Sequence, residues 1–200
     1  MSRKLIVPQL GPQLPQRGNL ISRWLGRLML RALNWRIEGE ICQQPRCVMV
    51  MGPHTSWWDF TNNFAVLLAL GLDASWFIAN TYTKGVVGKL LSLFGAIAVE
   101  RNERSDLVSQ MVALFTSRPQ LILAIFPEGT RKPVIKWKTG FWHIAKQASV
   151  PVQLVAVDYA KRATVFAEVI ELSEDGDSDI QHMRDFFKTV TAKRPQNALY

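Results

Sequence analysis

The sequence of 200 residues contains only two cysteines, Cys42 and Cys47. They could be bridged around a turn, but their spacing fits no usual zinc pattern and no further cysteine completes one. We therefore expect two free thiols in a reducing compartment and no metal site. Long apolar runs are also missing: the longest, residues 65–72 and 90–99, fall far short of the roughly 20 residues that cross a bilayer. Three prolines interrupt the N-terminal segment, so no secretory signal is predicted.

Acidic residues are missing from the first 36 positions, which hold seven arginines and lysines. The whole chain carries a formal charge of +8, so the remainder is close to neutral. The basic character therefore belongs to the N-terminal segment and not to the fold as a whole. Apolar residues make up 48% of the sequence and charged residues 20%, which is typical of a globular protein. A chain of this length suits one domain with a single sizeable core.

The N-terminal segment predicts an amphipathic helix. Residues 1–18 are rich in proline, glutamine and glycine and are expected to form an irregular arm, after which Asn19 can cap a helix that runs to about Trp35. Apolar residues recur there at three- and four-residue steps, with a stripe of arginines beside them. The helix either packs on its own domain or lies on an anionic membrane surface. We favour the membrane over nucleic acid, because no recognised nucleic-acid motif accompanies the stripe. The predicted membrane-interface residues are Arg23, Trp24, Arg27 and Arg31.

Beyond Arg36 the sequence alternates strand-like and helix-like segments. This alternation predicts a largely parallel or mixed sheet with helices on both faces. We therefore predict a single α/β domain over residues 36–200, preceded by the arm and amphipathic helix of residues 1–35. Ser105 and Ser178 are expected to cap helices, and residues 164–170 to form an edge strand. The other strands are expected at 36–41, 47–51, 75–79, 96–100, 121–126 and 150–157, and helices at 57–70, 86–94, 106–117, 140–148 and after 178.

The stretch CVMVMGPHTSWWDF, residues 47–60, is the most informative. An apolar run predicts a buried strand, a Gly-Pro pair ends it, and His54 and Asp59 then stand near the start of a predicted helix. Open α/β sheets bind ligands beyond the carboxyl ends of their strands. Asp59 could orient one imidazole nitrogen of His54 and leave the other to accept a proton. Ser56 and Asp59 also fit a helix capping box, and this role is compatible with the catalytic one.

Two further predicted strands run into polar residues. One is followed by Pro127-Glu128-Gly129-Thr130-Arg131, in which the glycine admits a ligand to the backbone and the arginine offers a planar fork to phosphate or carboxylate. Another ends at Arg101, with Arg104 close behind, which indicates an anion site or surface charge. Taken alone, each of these two stretches is also explained by an ordinary turn at the end of a strand, without a ligand. If these strands are neighbours of the strand before His54, one pocket holds a base, its carboxylate and two cations.

In these stretches the sequence resembles the glycerolipid acyltransferases of the lysophosphatidic acid acyltransferase family. The family motifs occur in order: H-x-x-x-x-D at residues 54–59, a glycine-led strand ending in arginine at 95–101, F-P-E-G-T-R at 126–131, and a valine-proline-rich strand at 150–157. Leu154 stands where the family usually has a second proline, and the connector after Arg131 is shorter than is typical.

The resemblance implies transfer of a fatty acyl group from acyl-CoA or acyl-carrier protein to a hydroxyl of a lysolipid, with 1-acylglycerol-3-phosphate as the first candidate. His54, oriented by Asp59, would be the general base, and backbone N–H groups near Gly129 are one candidate for stabilising the oxyanion. No cofactor is implied beyond the acyl thioester as co-substrate. The expected location is cytoplasmic and peripheral, on a membrane with anionic lipids. The residues implied to hold the acceptor phosphate are Arg101, Glu128, Gly129, Thr130 and Arg131.

Other interpretations remain open on the sequence alone. The acceptor could be a lyso-aminolipid, a glycolipid or a second phospholipid, or the chain could be an inactive membrane lipid-binding protein. Trp57 and Trp58 either line an acyl path or fill the core. His143 and His182 lie on predicted helices and are expected to be structural or surface residues.

Overall fold

The computed structural model describes residues 5–79, 88, 92–99 and 104–198. Within these ranges the helices are α1 (Leu20–Leu33), α2 (Trp57–Leu70), α3 (Arg104–Ser117), α4 (Gly140–Gln147) and α5 (Gly176–Lys188), with a 3₁₀ turn at Pro195–Asn197. The strands are β1 (Arg36–Gly39), β2 (Arg46–Gly52), β3 (Ala74–Ala79), β4 (Ala96–Val99), β5 (Leu121–Ile125), β6 (Val152–Asp158) and β7 (Ala163–Ile170).

The strands form one sheet in the order β1-β7-β6-β2-β5-β3-β4. Every neighbouring pair is parallel except β6 and β7, so the predicted largely parallel sheet is confirmed. The expectation of an edge strand over residues 164–170 is wrong, because β7 lies between β1 and β6. The four-residue β1 pairs only with Ala163 to Phe166. The second half of β7 therefore extends past β1, and this half of the strand is the more exposed one.

Strand β2 lies at the centre of two cores, one on each face of the sheet. Six of its seven residues are buried. Met49 and Met51 pack into the cluster that includes α1 and α2, whereas Val48 and Val50 pack into the cluster that includes α3, α4 and α5. Because successive strand residues point to opposite faces, a short apolar run supplies both cores. The predicted arrangement of helices on both faces is confirmed.

Helix α1 is capped as predicted, and it packs on α2 through a small residue. Asn19 Oδ1 accepts a hydrogen bond from the Ser22 N–H at 3.0 Å. Gly26 and Leu30 are buried, and a Cβ on Gly26 would lie 2.3 Å from the backbone nitrogen of Ala69 in α2. The backbones of α1 and α2 therefore approach closely. The apolar residues on the outer side of α1 are exposed: Leu20, Ile21, Trp24, Leu25 and Leu28.

Two helix caps differ from the predictions. Helix α3 begins at Arg104, so Ser105 lies inside the helix rather than before it. Helix α5 is capped by Asp175, whose Oδ1 accepts hydrogen bonds from the N–H groups of Asp177 and Ser178. Acidic residues are favourable at the positive end of a helix, so α5 begins at Gly176, before the predicted cap at Ser178.

The N-terminal arm is fixed to the rest of the molecule. Leu14 is buried, the Arg17 N–H donates to the Gly71 carbonyl at 2.9 Å, and the Arg17 guanidinium pairs with Asp73 at 2.6 Å. Leu14 and Leu30 pack into the same core as the strands. The division of the chain after residue 35 stays a prediction.

Both cysteines are free, as predicted, and both are buried. No helix within the described ranges has the length and the apolar character needed to cross a membrane. The helix predicted at 86–94 lies largely outside the described residues, as does the predicted strand end at Glu100.

Candidate active site

Neighbouring strands bring the 54–59 and 126–131 stretches together. Strands β2 and β5 are parallel, with Val50 opposite Ile125. His54 follows the end of β2 by two residues and Glu128 follows the end of β5 by three. Because parallel strands end at the same edge of a sheet, both residues lie at that edge. The backbone N–H of His54 donates to Glu128 Oε1 at 3.0 Å, which ties the two stretches into one site.

Asp59 lies in the first turn of α2 and is fully buried. Its Oδ2 accepts hydrogen bonds from the N–H groups of Thr55 at 2.6 Å and Ser56 at 2.7 Å, which confirms the predicted capping box. The same Oδ2 lies 3.4 Å from His54 Nδ1. That Nδ1 is buried and forms no hydrogen bond within the described chain, although Asp59 is within ion-pair distance. Asp59 is therefore placed both to cap α2 and to orient the imidazole.

The imidazole of His54 is also held by an aromatic contact. Its ring stacks on Phe126, with the ring centres 4.2 Å apart and the planes at 24°. The side chain retains 19% of its exposure. The ring thus packs on Phe126 on one side and has the Asp59 carboxylate facing its Nδ1, while part of it remains accessible from outside.

Tyr159 belongs to the site, although the sequence did not single it out. Its hydroxyl donates to Asp59 Oδ1 at 2.7 Å, and the amide of Asn62 donates to the Tyr159 oxygen at 3.4 Å. Burial, and then the hydrogen bond to the Asp59 carboxylate, raise the pKa of Tyr159 above its usual range. The phenol consequently stays protonated and remains a donor. The only signal in the sequence was a tyrosine just beyond a predicted apolar strand.

A buried polar chain leads from Asp59 towards α1. The Asn63 amide donates to the Asp59 carbonyl at 2.6 Å, and Asn63 Oδ1 accepts from Thr164 at 3.0 Å. The Thr164 hydroxyl in turn accepts from Trp35 Nε1 at 3.0 Å. The signal for this network in the sequence is the pair of adjacent asparagines in α2, Asn62 and Asn63. No prediction was based on that pair.

The loop after β5 is tightly folded around Gly129. This residue has φ of +62°, and its N–H donates to the Phe126 carbonyl at 3.0 Å, so this amide is not available to an oxyanion. Lys138 lies against it: a Cβ at Gly129 would be 2.6 Å from Lys138 Nζ. Thr130 accepts a local hydrogen bond from the Lys132 N–H at 3.3 Å. Lys138 is therefore a basic group of the site that the sequence analysis did not select.

Arg131 stacks over Trp57, with its guanidinium carbon 3.7 Å from the ring centre. Trp57 is 70% exposed and Trp58 is 51% exposed, so neither fills the core. In the described part of the chain, no carboxylate lies within 4.0 Å of the charged groups of Arg131 or Lys138. Planar arginine on an aromatic face is a stable arrangement that leaves the edge of the guanidinium open to an anion.

The segment after α5 braces this site from outside. The Arg194 N–H donates to the Thr55 hydroxyl at 3.3 Å, and the Asn197 amide donates to the Arg131 carbonyl at 3.0 Å. The same segment also holds Tyr159, whose backbone N–H donates a hydrogen bond to the Thr191 carbonyl at 2.9 Å. Nothing in the sequence indicated this contact.

The remaining predicted residues lie elsewhere or cannot be placed. Arg101 lies outside the described residues, and β4, which precedes it, is separated from β5 by β3. On α1, Arg23 is half-buried, whereas Trp24, Arg27 and Arg31 are exposed. His143 is exposed and His182 pairs with Glu168 at 3.1 Å on the surface, as predicted for both histidines.

Comparison with known proteins agrees with this arrangement. The acyltransferase family model matches residues 34–158, whereas the sequence matches none of the curated proteins with which it was compared. The fold is similar to the crystal structure of the 1-acyl-sn-glycerophosphate (LPA) acyltransferase PlsC from Thermotoga maritima, with a TM-score of 0.58 and 14% identity over 86% of this chain and 80% of that one. The family match covers more than half of the chain and includes His54, Asp59 and Glu128, so the chain belongs to the acyltransferase family.

Proposed function

We propose that this acyltransferase moves a fatty acyl group from an acyl thioester, either acyl-CoA or acyl-carrier protein, to a hydroxyl of 1-acylglycerol-3-phosphate. The observation that carries the proposal is the position of the Asp59 carboxylate. It is fully buried, receives hydrogen bonds from Thr55, Ser56 and Tyr159, and lies 3.4 Å from His54 Nδ1. A carboxylate held in this way fixes the tautomer of a histidine that acts as a base.

In the proposed reaction, His54 Nε2 accepts the proton of the acceptor hydroxyl while that oxygen attacks the carbonyl carbon of the thioester. The tetrahedral intermediate then collapses and the C–S bond breaks. The departing sulfur takes the proton from His54, so the products are an ester and a free thiol. Asp59 stabilises the imidazolium that forms between the two steps. General-base assistance of this kind typically contributes about 100- to 10,000-fold in rate.

The loop after β5 supports an acceptor that carries a phosphate. Residues 131–138 contain four basic residues and no acidic one. Arg131 is held on Trp57 at 3.7 Å, and Lys138 lies against Gly129. A guanidinium fork binds phosphate with two parallel hydrogen bonds, and an ammonium adds a compact positive charge. This set of groups favours a lysophospholipid over an uncharged glycolipid.

We also propose that α1 holds the enzyme on the membrane surface. Its outer side exposes Leu20, Ile21, Trp24, Leu25 and Leu28 next to exposed Arg27 and Arg31. Apolar and aromatic side chains beside arginines suit the boundary between headgroups and acyl chains of an anionic bilayer. The lysolipid acceptor would be drawn from that layer.

The direct test follows thiol release from acyl-CoA and acyl-carrier protein across a panel of lysolipids in the presence of vesicles. We expect release with 1-acylglycerol-3-phosphate, and we expect Arg131→Gln to raise its KM about 10- to 100-fold, the usual effect of losing a charged hydrogen bond. The KM for the acyl donor should be unchanged. Equal turnover with an uncharged lysolipid would contradict the phosphate acceptor. Absence of release with every acceptor and donor would overturn the proposed activity.

A further inference from the structure

A cavity lies between the N-terminal arm, α1 and the end of α2. Its volume is about 320 Å³, and it is lined by residues 7–10 and Gln16 of the arm, Arg23 and Arg27 of α1, and Ala69 and Leu70 of α2. None of these residues belongs to the site around His54. Sites for small ligands have volumes of about 300–1,000 Å³, so the cavity is large enough for a phosphate-bearing group.

The walls of this cavity are held in place by the fold itself. Ala69, which lines the cavity, is also the residue of α2 that Gly26 of α1 approaches closely. The arm is fixed at the rim, because Gln16 bridges to Leu72 and the Arg17 N–H donates to the Gly71 carbonyl at 2.9 Å. The two arginines therefore line a pocket whose rim is held by hydrogen bonds of the arm.

The positive charge of the cavity is not compensated by nearby acids. Arg23 and Arg27 are one helical turn apart and lie on the same side of α1. Within the described ranges, no carboxylate is within 4.0 Å of either guanidinium, and nearby Asp73 is already paired with Arg17. Arg23 Nη2 donates to Gln16 Oε1 at 2.9 Å, but its buried Nε has no hydrogen-bond partner among the described residues. Two neighbouring arginines without a paired carboxylate attract an oxyanion.

We propose that this cavity binds the phosphate group of an anionic membrane lipid, at a site separate from the acceptor-binding loop. The exposed Leu20 and Trp24, 84% and 60% accessible, lie on the same helix within one turn of Arg23. When these side chains enter a lipid layer, the cavity lies at the level of the headgroups. A bound headgroup then fixes the orientation of α1, and with it the orientation of the catalytic edge of the sheet, on the membrane.

Arg27 and Arg31 provide a matched pair for the test, because both are exposed arginines of α1 but only Arg27 lines the cavity. The assay measures the affinity of the full chain for vesicles of phosphatidylcholine with and without phosphatidylglycerol. Diffuse attraction to an anionic surface predicts a loss of about fivefold for either Arg27→Gln or Arg31→Gln. Occupation of the cavity predicts a loss for Arg27→Gln that exceeds the loss for Arg31→Gln by about tenfold, as for a direct charged hydrogen bond. Circular dichroism confirms that both variants fold.

A second arm of the experiment separates a lipid headgroup from free phosphate. Inorganic phosphate is titrated into wild type and both variants by calorimetry, against chloride at the same ionic strength. Weak or absent heat, together with the larger vesicle loss of Arg27→Gln, supports the lipid headgroup. Equal vesicle losses for the two variants overturn the proposal, and saturable phosphate binding that depends on Arg27 would then assign the cavity to free phosphate. Vesicle binding requires no acyl transfer, so this result is independent of the proposed reaction.

Discussion

At the scale of single residues, the two oxygens of Asp59 have different tasks. Oδ2 accepts the N–H groups that begin α2 and faces His54 Nδ1, whereas Oδ1 accepts the hydroxyl of Tyr159. A carboxylate that caps a helix is already immobile, so one residue can serve stability and chemistry together. In the proposed mechanism Tyr159 is a positioning residue, because it would act on His54 only through Asp59.

We expect Tyr159→Phe to lower both activity and stability. The change removes the donor to Asp59 Oδ1 and leaves a fully buried carboxylate with one partner fewer. The free energy of unfolding should fall by about 1.5–3 kcal/mol, the value of a hydrogen bond to a charged group. Loss of orientation at His54 should lower kcat about 10- to 100-fold with little change in KM. Urea denaturation and steady-state kinetics measure the two effects. A stability loss with unchanged kcat would show that the role of Tyr159 is only structural.

The residues of the site that are close in sequence could be predicted, and those that are distant could not. His54, Asp59 and the Ser56 cap lie within six positions, so spacing and capping chemistry were sufficient. Tyr159 reaches Asp59 from 100 positions away, and only the pairing of β6 beside β2 brings it there. The bracing contacts of Arg194 and Asn197 depend in the same way on tertiary structure.

At the scale of helices and strands, hydrophobic periodicity was enough to locate most elements but not to order them. Helix α2 was predicted at its observed bounds, since a serine cap and a terminal glycine mark its ends. The position of β7 was predicted wrongly: its second half is partly exposed and extends past the short β1, but the strand lies inside the sheet, between β1 and β6. The sequence did not indicate the packing face of α1: a small residue, Gly26, makes the contact with α2, and several larger apolar residues are exposed.

Gly26→Ala tests the contact between α1 and α2. An added Cβ would lie 2.3 Å from the Ala69 nitrogen, whereas a Cβ at Gly140, in the first turn of α4, would have no heavy atom within 4 Å. We expect Gly26→Ala to lower the free energy of unfolding by about 1–3 kcal/mol, the usual effect of overpacking. Gly140→Ala should leave stability unchanged or raise it by up to about 1 kcal/mol. Denaturant unfolding of both variants gives the comparison, and a stable Gly26→Ala variant would mean that the two helices separate easily.

At the scale of the whole molecule, charge and apolar surface are arranged on different parts of one fold. The segment before β1 carries six basic residues and no acidic one, and it exposes the apolar side of α1. A second basic group, in residues 131–138, lies in the loop that follows β5 beside His54. The proposed function assigns the first group to the membrane surface and the second to the phosphate of the acceptor, so the lipid surface and the lipid substrate would be recognised by different parts of the fold.

The most direct test of the account compares His54→Ala with His182→Ala in the thiol-release assay. His182 is a surface histidine paired with Glu168, so its replacement controls for the loss of an imidazole far from the reaction. We predict that His54→Ala keeps the circular dichroism spectrum of the wild type and lowers kcat by about 100- to 10,000-fold. His182→Ala should turn over at the wild-type rate. A His54→Ala variant that releases thiol as fast as the wild type would show that His54 is not the base, and would contradict the mechanism.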